Sequence, residues 1–251
     1  MLTFVGLGLY DERSITVEGR EVLRDADRAF AECYTSKLVG TTVESLESHH
    51  DISIEVRGRA GVEGDPEPIL DAAEARSAVF LVAGDPMVST THTDLRLRAH
   101  ERGIETRIVH GTTAQTAAGS LTGLQNYRFG KATTIPFAYR DRPIPESVVH
   151  TIEDNRERGL HTLCYLDIKA EEERYMTADV AAERLASELD TLGVVVARAG
   201  SSEPLVVADR LSALAEGEFG EPLHLLVVPG DLHHLEREAL DTLADTPAEL
   251  L

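Results

Sequence analysis

An aspartate directly after a buried strand is the residue best placed to do chemistry in this chain. The apolar run 79–83 ends at Gly84-Asp85-Pro86, where glycine and proline allow a sharp turn. Ligands of open α/β sheets bind outside the carboxyl ends of the strands, so an acid at this point suits a small, partly cationic ligand. A turn or helix-cap role explains Asp85 equally well from its own position, and both interpretations stay open.

A second turn with glycines follows the apolar strand that begins at residue 2. Gly6-Leu7-Gly8 begins like a dinucleotide-binding loop, but Asp11 occupies the place of the third glycine. Its negative charge would lie near a pyrophosphate, so a plain tight turn is at least as good an interpretation. Together with Asp85, this turn suggests a two-part cleft for a small ligand.

The other reactive side chains form no recognisable catalytic set. His49-His50 and His233-His234 are adjacent pairs, and sequence neighbours seldom share one metal ion, so no metal is expected. Cys33 and Cys164 lie in apolar runs and are expected to be buried free thiols. The sequence contains neither a Gly-Lys-Ser/Thr phosphate loop nor a Gly-x-Ser-x-Gly nucleophile elbow. No general base can be named.

The charge balance is strongly acidic. The 251 residues include 44 acids and 24 bases, giving a net charge of -20, and the acids are spread along the chain. Dispersed acidity of this kind is tolerable where salt screens it, and it indicates adaptation to a salty cytoplasm. It argues against direct nucleic-acid binding, which depends on basic contacts to phosphate. No apolar run could span a bilayer and no signal peptide is recognised, so a cytoplasmic protein without a membrane partner is expected.

The elements that must position these residues alternate between strand and helix. This alternation predicts an α/β protein of two domains with mostly parallel sheets, an N-terminal domain over 1–112 and a C-terminal domain over 113–251. The first predicted helix begins at 14 or 16 and ends near 27. The others begin near 42, 67, 91, 113, 146, 177 and 234. The predicted strands cover 28–33, 52–56, 79–83, 104–110, 132–135, 163–166, 194–197 and 223–228 in addition to the first.

Short blocks in order along the whole chain resemble the diphthine synthases. The first is Gly6-Leu7-Gly8-Leu9-Tyr10-Asp11-Glu12-Arg13-Ser14-Ile15-Thr16. The others cover 31–36, 84–92, 121–124, 129–131, 159–163, 166–171, 175–177, 197–201 and 226–230. Each block is weak alone, but the ordered set is specific.

The resemblance implies a fold and a reaction. Diphthine synthases are similar to the tetrapyrrole methylases, which bind S-adenosylmethionine in the cleft between two α/β domains without the Rossmann glycine loop. The implied reaction methylates the amino group of an aminocarboxypropyl-modified histidine on translation elongation factor 2, in diphthamide synthesis. Three methyl groups are expected, with S-adenosylhomocysteine as the by-product and a homodimer as the enzyme.

Position by position, the resemblance also implies a set of cofactor contacts, several of them through the backbone. The segment 110–114 departs from the Pro-Ser-Ile type of segment that relatives show at this place. Asp85 is expected to position the cofactor and not to take a proton, and His224, taken alone, looks more like a core histidine than a ligand. The predicted contacts are Leu9, Asp85, Val88, Thr113, Ala114, Leu166, Ala199 and His224.

Two other functions stay open. One is a tetrapyrrole methylase that acts on a corrinoid precursor. The other is a non-catalytic protein of the same fold that binds the elongation factor. The blocks Tyr34-Thr35-Ser36 and 166–171 resemble the protein-modifying branch and speak against the corrinoid substrate.

Overall fold

A computed structural model describes residues 1–140 and 142–251, which form two compact units, Met1–Thr113 and Ala114–Leu251. The boundary lies one residue from the position expected from the sequence. Each unit has its own five-stranded sheet covered by helices, so the predicted α/β class is confirmed. Within the described residues, no helix combines the length and the apolar character needed to cross a membrane.

The strands of the first unit are β1 (Leu2–Gly6), β2 (Arg28–Ala31), β3 (Ile54–Val56), β4 (Ala78–Val82) and β5 (Thr106–Val109). They form a sheet that is parallel throughout, with the strand order β3-β2-β4-β1-β5. Central strands of such sheets are buried on both faces, which explains why β1 and β4 are continuous apolar runs in the sequence. Phe4 pairs with Phe80, which pairs with Phe30, and all three rings are fully buried.

The helices of this unit begin where the sequence supplies helix-starting residues. The hydroxyl of Thr16 accepts a hydrogen bond from the amide of Gly19, so Thr16, one of the two predicted caps, starts the first helix. Thr42 caps the second helix in the same way. The helices are α1 (Val17–Arg24), α2 (Val43–His50), α3 (Glu67–Ala75) and α4 (Thr93–Glu101), with a short π-type turn at Ala60–Gly64.

The strands of the second unit are β6 (Thr133–Ile135), β7 (Thr162–Leu166), β8 (Ile168–Lys169), β9 (Arg174–Tyr175), β10 (Leu192–Ala197), β11 (Leu205–Arg210) and β12 (His224–Val228). Its helices are α5 (Ala114–Thr122), α6 (Glu146–Glu157), α7 (Ala178–Ala186), α8 (Leu211–Leu214) and α9 (His234–Ala244). Five of the strands form a mixed sheet with the order β11-β10-β12-β7-β6. The apolar clusters of this unit lie on both sides of the sheet, against the helices.

This second sheet departs from the mostly parallel arrangement expected from the sequence. Of its strand pairs, β6–β7 is parallel, whereas β7–β12, β12–β10 and β10–β11 are antiparallel. The loop 198–204 between β10 and β11 is too short for the crossover that a parallel pair requires, so β11 must return antiparallel. The sequence patterns predict neither strand β11 nor the small β8–β9 hairpin.

Both cysteines are free thiols, as expected. Cys164 is fully buried in β7, where burial raises the pKa of its thiol to about 12. Cys33 follows β2 and is only partly buried, which corrects the expectation of full burial. Burial also raises the pKa of the Cys33 thiol, so neither group is prepared to act as a thiolate nucleophile.

Candidate functional site: the carboxyl edge of the first sheet

Three strand exits of the first unit meet through glycine backbones. A Cβ atom placed on Gly6 would lie 2.5 Å from the carbonyl oxygen of Gly84 and 2.6 Å from the amide nitrogen of Gly111. These residues follow or end β1, β4 and β5, whose carboxyl ends share one edge because the strands are parallel. Only glycine allows backbones to approach so closely, which explains why glycine occupies these positions at the edge.

The loops after β1 and β4 are also joined by hydrogen bonds. The amide of Gly84 donates to the carbonyl of Gly8 at 2.7 Å, and the amide of Gly8 donates back at 3.2 Å. The amide of Leu7 extends the pairing by donating to Val82 at 2.8 Å. The glycine turn that resembles the start of a dinucleotide loop therefore pairs with the Asp85 loop of its own chain.

Asp85 is buried at this edge and its carboxylate is held by its own chain. One oxygen accepts the amide hydrogen of Met87 at 2.9 Å. The other accepts from His110 Nδ1 at 2.7 Å and from the amide of Gly111 at 3.3 Å. Since only 5% of Asp85 is exposed, its carboxylate joins the exits of β4 and β5 and is not displayed as a free charge.

The four cofactor contacts predicted in the first unit all lie at this edge. Leu9 follows the paired segment at Gly8, and Asp85 follows Gly84. The amide of Val88 donates to the carbonyl of Asp85 at 3.4 Å, and 37% of Val88 is exposed. The Cα atom of Thr113 lies 4.0 Å from the place of a Cβ atom on Gly84.

A buried acid–histidine pair also contributes to this edge, and neither of its residues is among the predicted site residues. Glu32, directly after β2, accepts hydrogen bonds at 2.9 Å from the amides of Tyr34 and Thr35. His92 donates from Nδ1 to the carbonyl of Pro86 at 3.0 Å, and its Nε2 lies 3.7 Å from Glu32 Oε1. The pair thus connects the exit of β2 with the Asp85 loop. The sequence gives no signal for this pair, because Glu32 falls inside the predicted strand 28–33 and His92 near the start of a predicted helix.

In the second unit, three predicted contacts share one edge of the mixed sheet. His224 pairs with Ala197 across β10 and β12, and Ala199 lies two residues beyond Ala197. Leu226 pairs with Cys164, so the same register, continued by two residues, places Leu166 beside His224. The hydroxyl of Tyr165 donates to Gln115 at 3.4 Å, which places the first turn of α5, where Ala114 lies, near the end of β7.

His224 has the environment of a satisfied core histidine. Its Nδ1 accepts the amide hydrogen of Ala178 at 3.1 Å, and its Nε2 donates to the carbonyl of Glu221 at 3.0 Å. Burial lowers the pKa of His224, although the Glu221 carbonyl opposes this effect. Because both ring nitrogens are occupied, a ligand could use the ring face or the backbone of this residue but not its imidazole nitrogens.

Acid should destabilise this protein through its buried histidines. Burial lowers the pKa of His92, His161 and His224 below the ordinary value of 6.5, because the folded state disfavours the charged form. As the pH falls through 6.5, the unfolded chain binds protons that the folded chain does not, so stability is lost. Each histidine contributes at most about 1.4 kcal/mol per pH unit. Urea unfolding at constant salt should show a falling midpoint between pH 7.5 and 5, and a flat profile would contradict this account.

Among residues 1–140 and 142–251, no three histidine, cysteine, aspartate or glutamate side chains are grouped as metal ligands.

The comparisons with known proteins agree with the α/β architecture. Residues 1–215 match the family model of the tetrapyrrole (corrin/porphyrin) methylases. A diphthine synthase of Natronomonas pharaonis is 68% identical to this chain, and the match covers 100% of this chain and 98% of that protein.

The chain belongs to the diphthine synthases. A diphthine synthase of Halobacterium salinarum is 64% identical over the full length of both chains. A crystal structure of a diphthine synthase has a TM-score of 0.93 at 42% identity and covers 99% of this chain and 98% of its own. The predicted diphthine synthase resemblance and tetrapyrrole methylase fold are both confirmed, and family membership makes the chain a methyltransferase.

Proposed function

We propose that this chain uses S-adenosylmethionine to methylate the amino group of the aminocarboxypropyl-modified histidine of translation elongation factor 2. Three methyl transfers convert that group to diphthine and release S-adenosylhomocysteine. The observation that carries the proposal is the full-length identity of 64–68% to diphthine synthases. The blocks 34–36 and 166–171, which resemble the protein-modifying branch, favour this substrate over a corrinoid precursor.

The carboxyl edge of the first sheet fits such a methyl donor. When bound, S-adenosylmethionine supplies an electrophilic methyl group on a positively charged sulfur. Partly exposed Leu9 and Val88 offer apolar surface, and the buried negative charge of Asp85 favours a cationic ligand nearby. The close approach of the glycine backbones brings the exits of β1, β4 and β5 together, so the loops proposed to contact the ligand start side by side.

The proposed cofactor contacts also include residues of the second unit. Ala114, Leu166, Ala199 and His224 are proposed to contribute chiefly through main-chain and apolar contacts. The two occupied ring nitrogens of His224 support this mode of binding. We further propose a cytoplasmic homodimer, as the family resemblance implies, that is adapted to salt. The adaptation to salt is supported by the net charge of -20 and by relatives from halophilic archaea.

A methyl-transfer assay tests the function directly. Purified protein is incubated at molar salt with methyl-labelled S-adenosylmethionine and elongation factor 2 that carries the aminocarboxypropyl group. Label is expected at the modified histidine, whereas elongation factor with unmodified histidine should stay unlabelled. Mass spectrometry of the modified peptide then counts the methyl groups. Bound cofactor without labelled elongation factor would contradict the proposal, and label in a corrinoid precursor would select the alternative substrate.

Replacing Asp85 by alanine should weaken cofactor binding. The change removes the acceptor of Met87, Gly111 and His110, so the loops after β4 and β5 lose their shared anchor. Calorimetry with S-adenosylhomocysteine should show a Kd raised by about tenfold or more, which corresponds to about 1.4 kcal/mol. The control is Asp94→Ala, an exposed aspartate on α4 that should leave the Kd unchanged. An unaltered Kd in the Asp85 variant would remove Asp85 from the cofactor site.

A further inference from the structure

His110 lies at the carboxyl edge of the first sheet and is not among the proposed cofactor contacts, although it is bonded to one of them. It is the first residue after β5, and its Nδ1 lies 2.7 Å from a carboxylate oxygen of Asp85. The two partners differ sharply in exposure, since 76% of the His110 side chain is exposed against 5% for Asp85. A buried carboxylate therefore holds Nδ1 of an imidazole that is otherwise largely exposed to solvent.

This contact determines which ring nitrogen carries the hydrogen. An ionised carboxylate only accepts hydrogen bonds, so the neutral imidazole presents its Nδ1–H to Asp85 and keeps a lone pair on Nε2. Asp85 is itself fixed by the amides of Met87 and Gly111, so the imidazole is held by an already anchored group. A histidine oriented in this way by a buried carboxylate is prepared to take a proton at Nε2.

Two other histidines near the predicted cofactor contacts cannot accept a proton from a substrate in this way. His92 is buried, and its Nδ1 donates to the carbonyl of Pro86. His224 is buried with both ring nitrogens in hydrogen bonds to the backbone. Within the described ranges 1–140 and 142–251, Asp85 is the one charged group that forms an ion pair with His110.

Methylation of an amine requires proton removal in every round. An α-amino group loses its proton at roughly pH 8 or above, so near neutrality most of the substrate is an ammonium ion without a lone pair. Each transfer turns the amine into a new ammonium ion that bears one more methyl group. Three transfers that start from the ammonium form therefore release three protons, one before each new N–C bond.

We propose that His110 is the general base of this reaction and that Asp85 is its positioning residue. Nε2 of His110 accepts a proton from the substrate ammonium. The freed nitrogen lone pair then forms the N–C bond to the methyl carbon, while the C–S bond breaks and its electron pair stays on sulfur. The imidazolium returns its proton to water through its exposed side before the next round. This inference rests on the proposed function.

The kinetic test compares His110→Gln with His150→Gln, a change of an exposed histidine on α6. His110→Gln should lower kcat/KM for the modified elongation factor by about 100-fold or more, the usual loss when a general base is removed. His150→Gln should leave kcat/KM unchanged. Affinity for S-adenosylhomocysteine should stay within about twofold of the wild type in both variants. In the His110 variant the rate should keep climbing with pH where the wild type levels off, because only free amine then reacts.

Two further measurements separate a base from a merely structural histidine. Added imidazole should restore part of the rate of His110→Ala and should not affect the wild type. Nitrogen NMR of the wild type should show His110 as the Nδ1–H tautomer, and Asp85→Asn should shift that tautomer balance. A dominant Nε2–H tautomer in the wild type would overturn the proposed orientation, whatever the activity.

The outcomes distinguish this inference from the proposed function. An active wild type with an equally active and equally pH-dependent His110→Gln variant overturns the role of His110 and leaves the function intact. A folded wild type that binds S-adenosylhomocysteine but transfers no methyl group contradicts the proposed function, and the base assignment falls with it. Loss of both folding and cofactor binding in His110→Gln would show a structural role and would also overturn the proposal.

Discussion

Replacing Glu236 by glutamine should lower the free energy of unfolding of this protein by about 3–5 kcal/mol. Glu236 is the third residue of α9 and its side chain is fully buried, and its two oxygens accept hydrogen bonds from four donors. The donors are the amides of Gln125 and His233, at 2.8 Å each, Arg128 at 3.0 Å and His161 Nε2 at 2.9 Å.

The loss is large because glutamine cannot replace this acceptor. Its amide group brings two N–H donors to a place where every partner is already a donor. His161 cannot reverse its role, since its Nδ1 accepts the amide hydrogen of Gly230 at 3.1 Å. Arg128 would keep its positive charge beside an uncharged partner, in the situation that makes breaking a buried ion pair costly.

Urea unfolding at pH 7.5 and constant salt measures this effect. The matched control is Glu238→Gln, the same chemical change at an exposed position of the same helix, which should shift stability by less than about 0.5 kcal/mol. Equal midpoints for the two variants would mean that the buried contacts of Glu236 contribute nothing to stability.

The second large effect is expected for Gly6→Ala. A methyl group at this position would lie 2.5 Å from the carbonyl oxygen of Gly84 and 2.6 Å from the amide nitrogen of Gly111. Both obstacles are backbone atoms, which cannot rotate away as a side chain can. The strand exits would have to separate, which should cost about 3 kcal/mol and should also weaken binding of S-adenosylhomocysteine.

The control for this prediction is Gly58→Ala, because a Cβ atom there meets nothing within 4 Å. That variant should change stability by no more than about 0.5 kcal/mol. Thermal unfolding with and without S-adenosylhomocysteine measures both effects in one series. A Gly6→Ala protein with wild-type melting and ligand response would refute the close approach of the strand exits.

The order of strands and helices could be predicted because the central strands β1, β2 and β4 of the first unit are almost entirely buried. Their apolar runs are visible in the sequence, and Asp85 after β4 was placed correctly at a strand exit. Pairing direction has no comparable local signal, which is why the mixed sheet of the second unit was not predicted. Strand β11 was overlooked although its segment begins with apolar Leu205 and Val206.

The candidate site was harder to predict because its contacts join distant parts of the chain. The sequence places His110 at the end of the predicted strand 104–110 and in a segment that departs from its relatives, but nothing in the spacing connects it with Asp85. The contact between Glu32 and His92 likewise depends on the neighbouring positions of β2 and β4 in the sheet. Local periodicity cannot reveal such pairs, and the eventual cofactor contacts stay predictions.

The glycine contact among the strand exits has a consequence for folding. Positions 6, 84 and 111 come from the beginning, the later part and the end of the first unit. Their contacts therefore join residues that are far apart in the sequence of this unit. Such contacts form only after the intervening chain has been ordered. An incompletely folded first unit therefore has no ligand-binding edge. Any ligand that binds there recognises the finished unit alone, and its binding energy adds to the stability of that state.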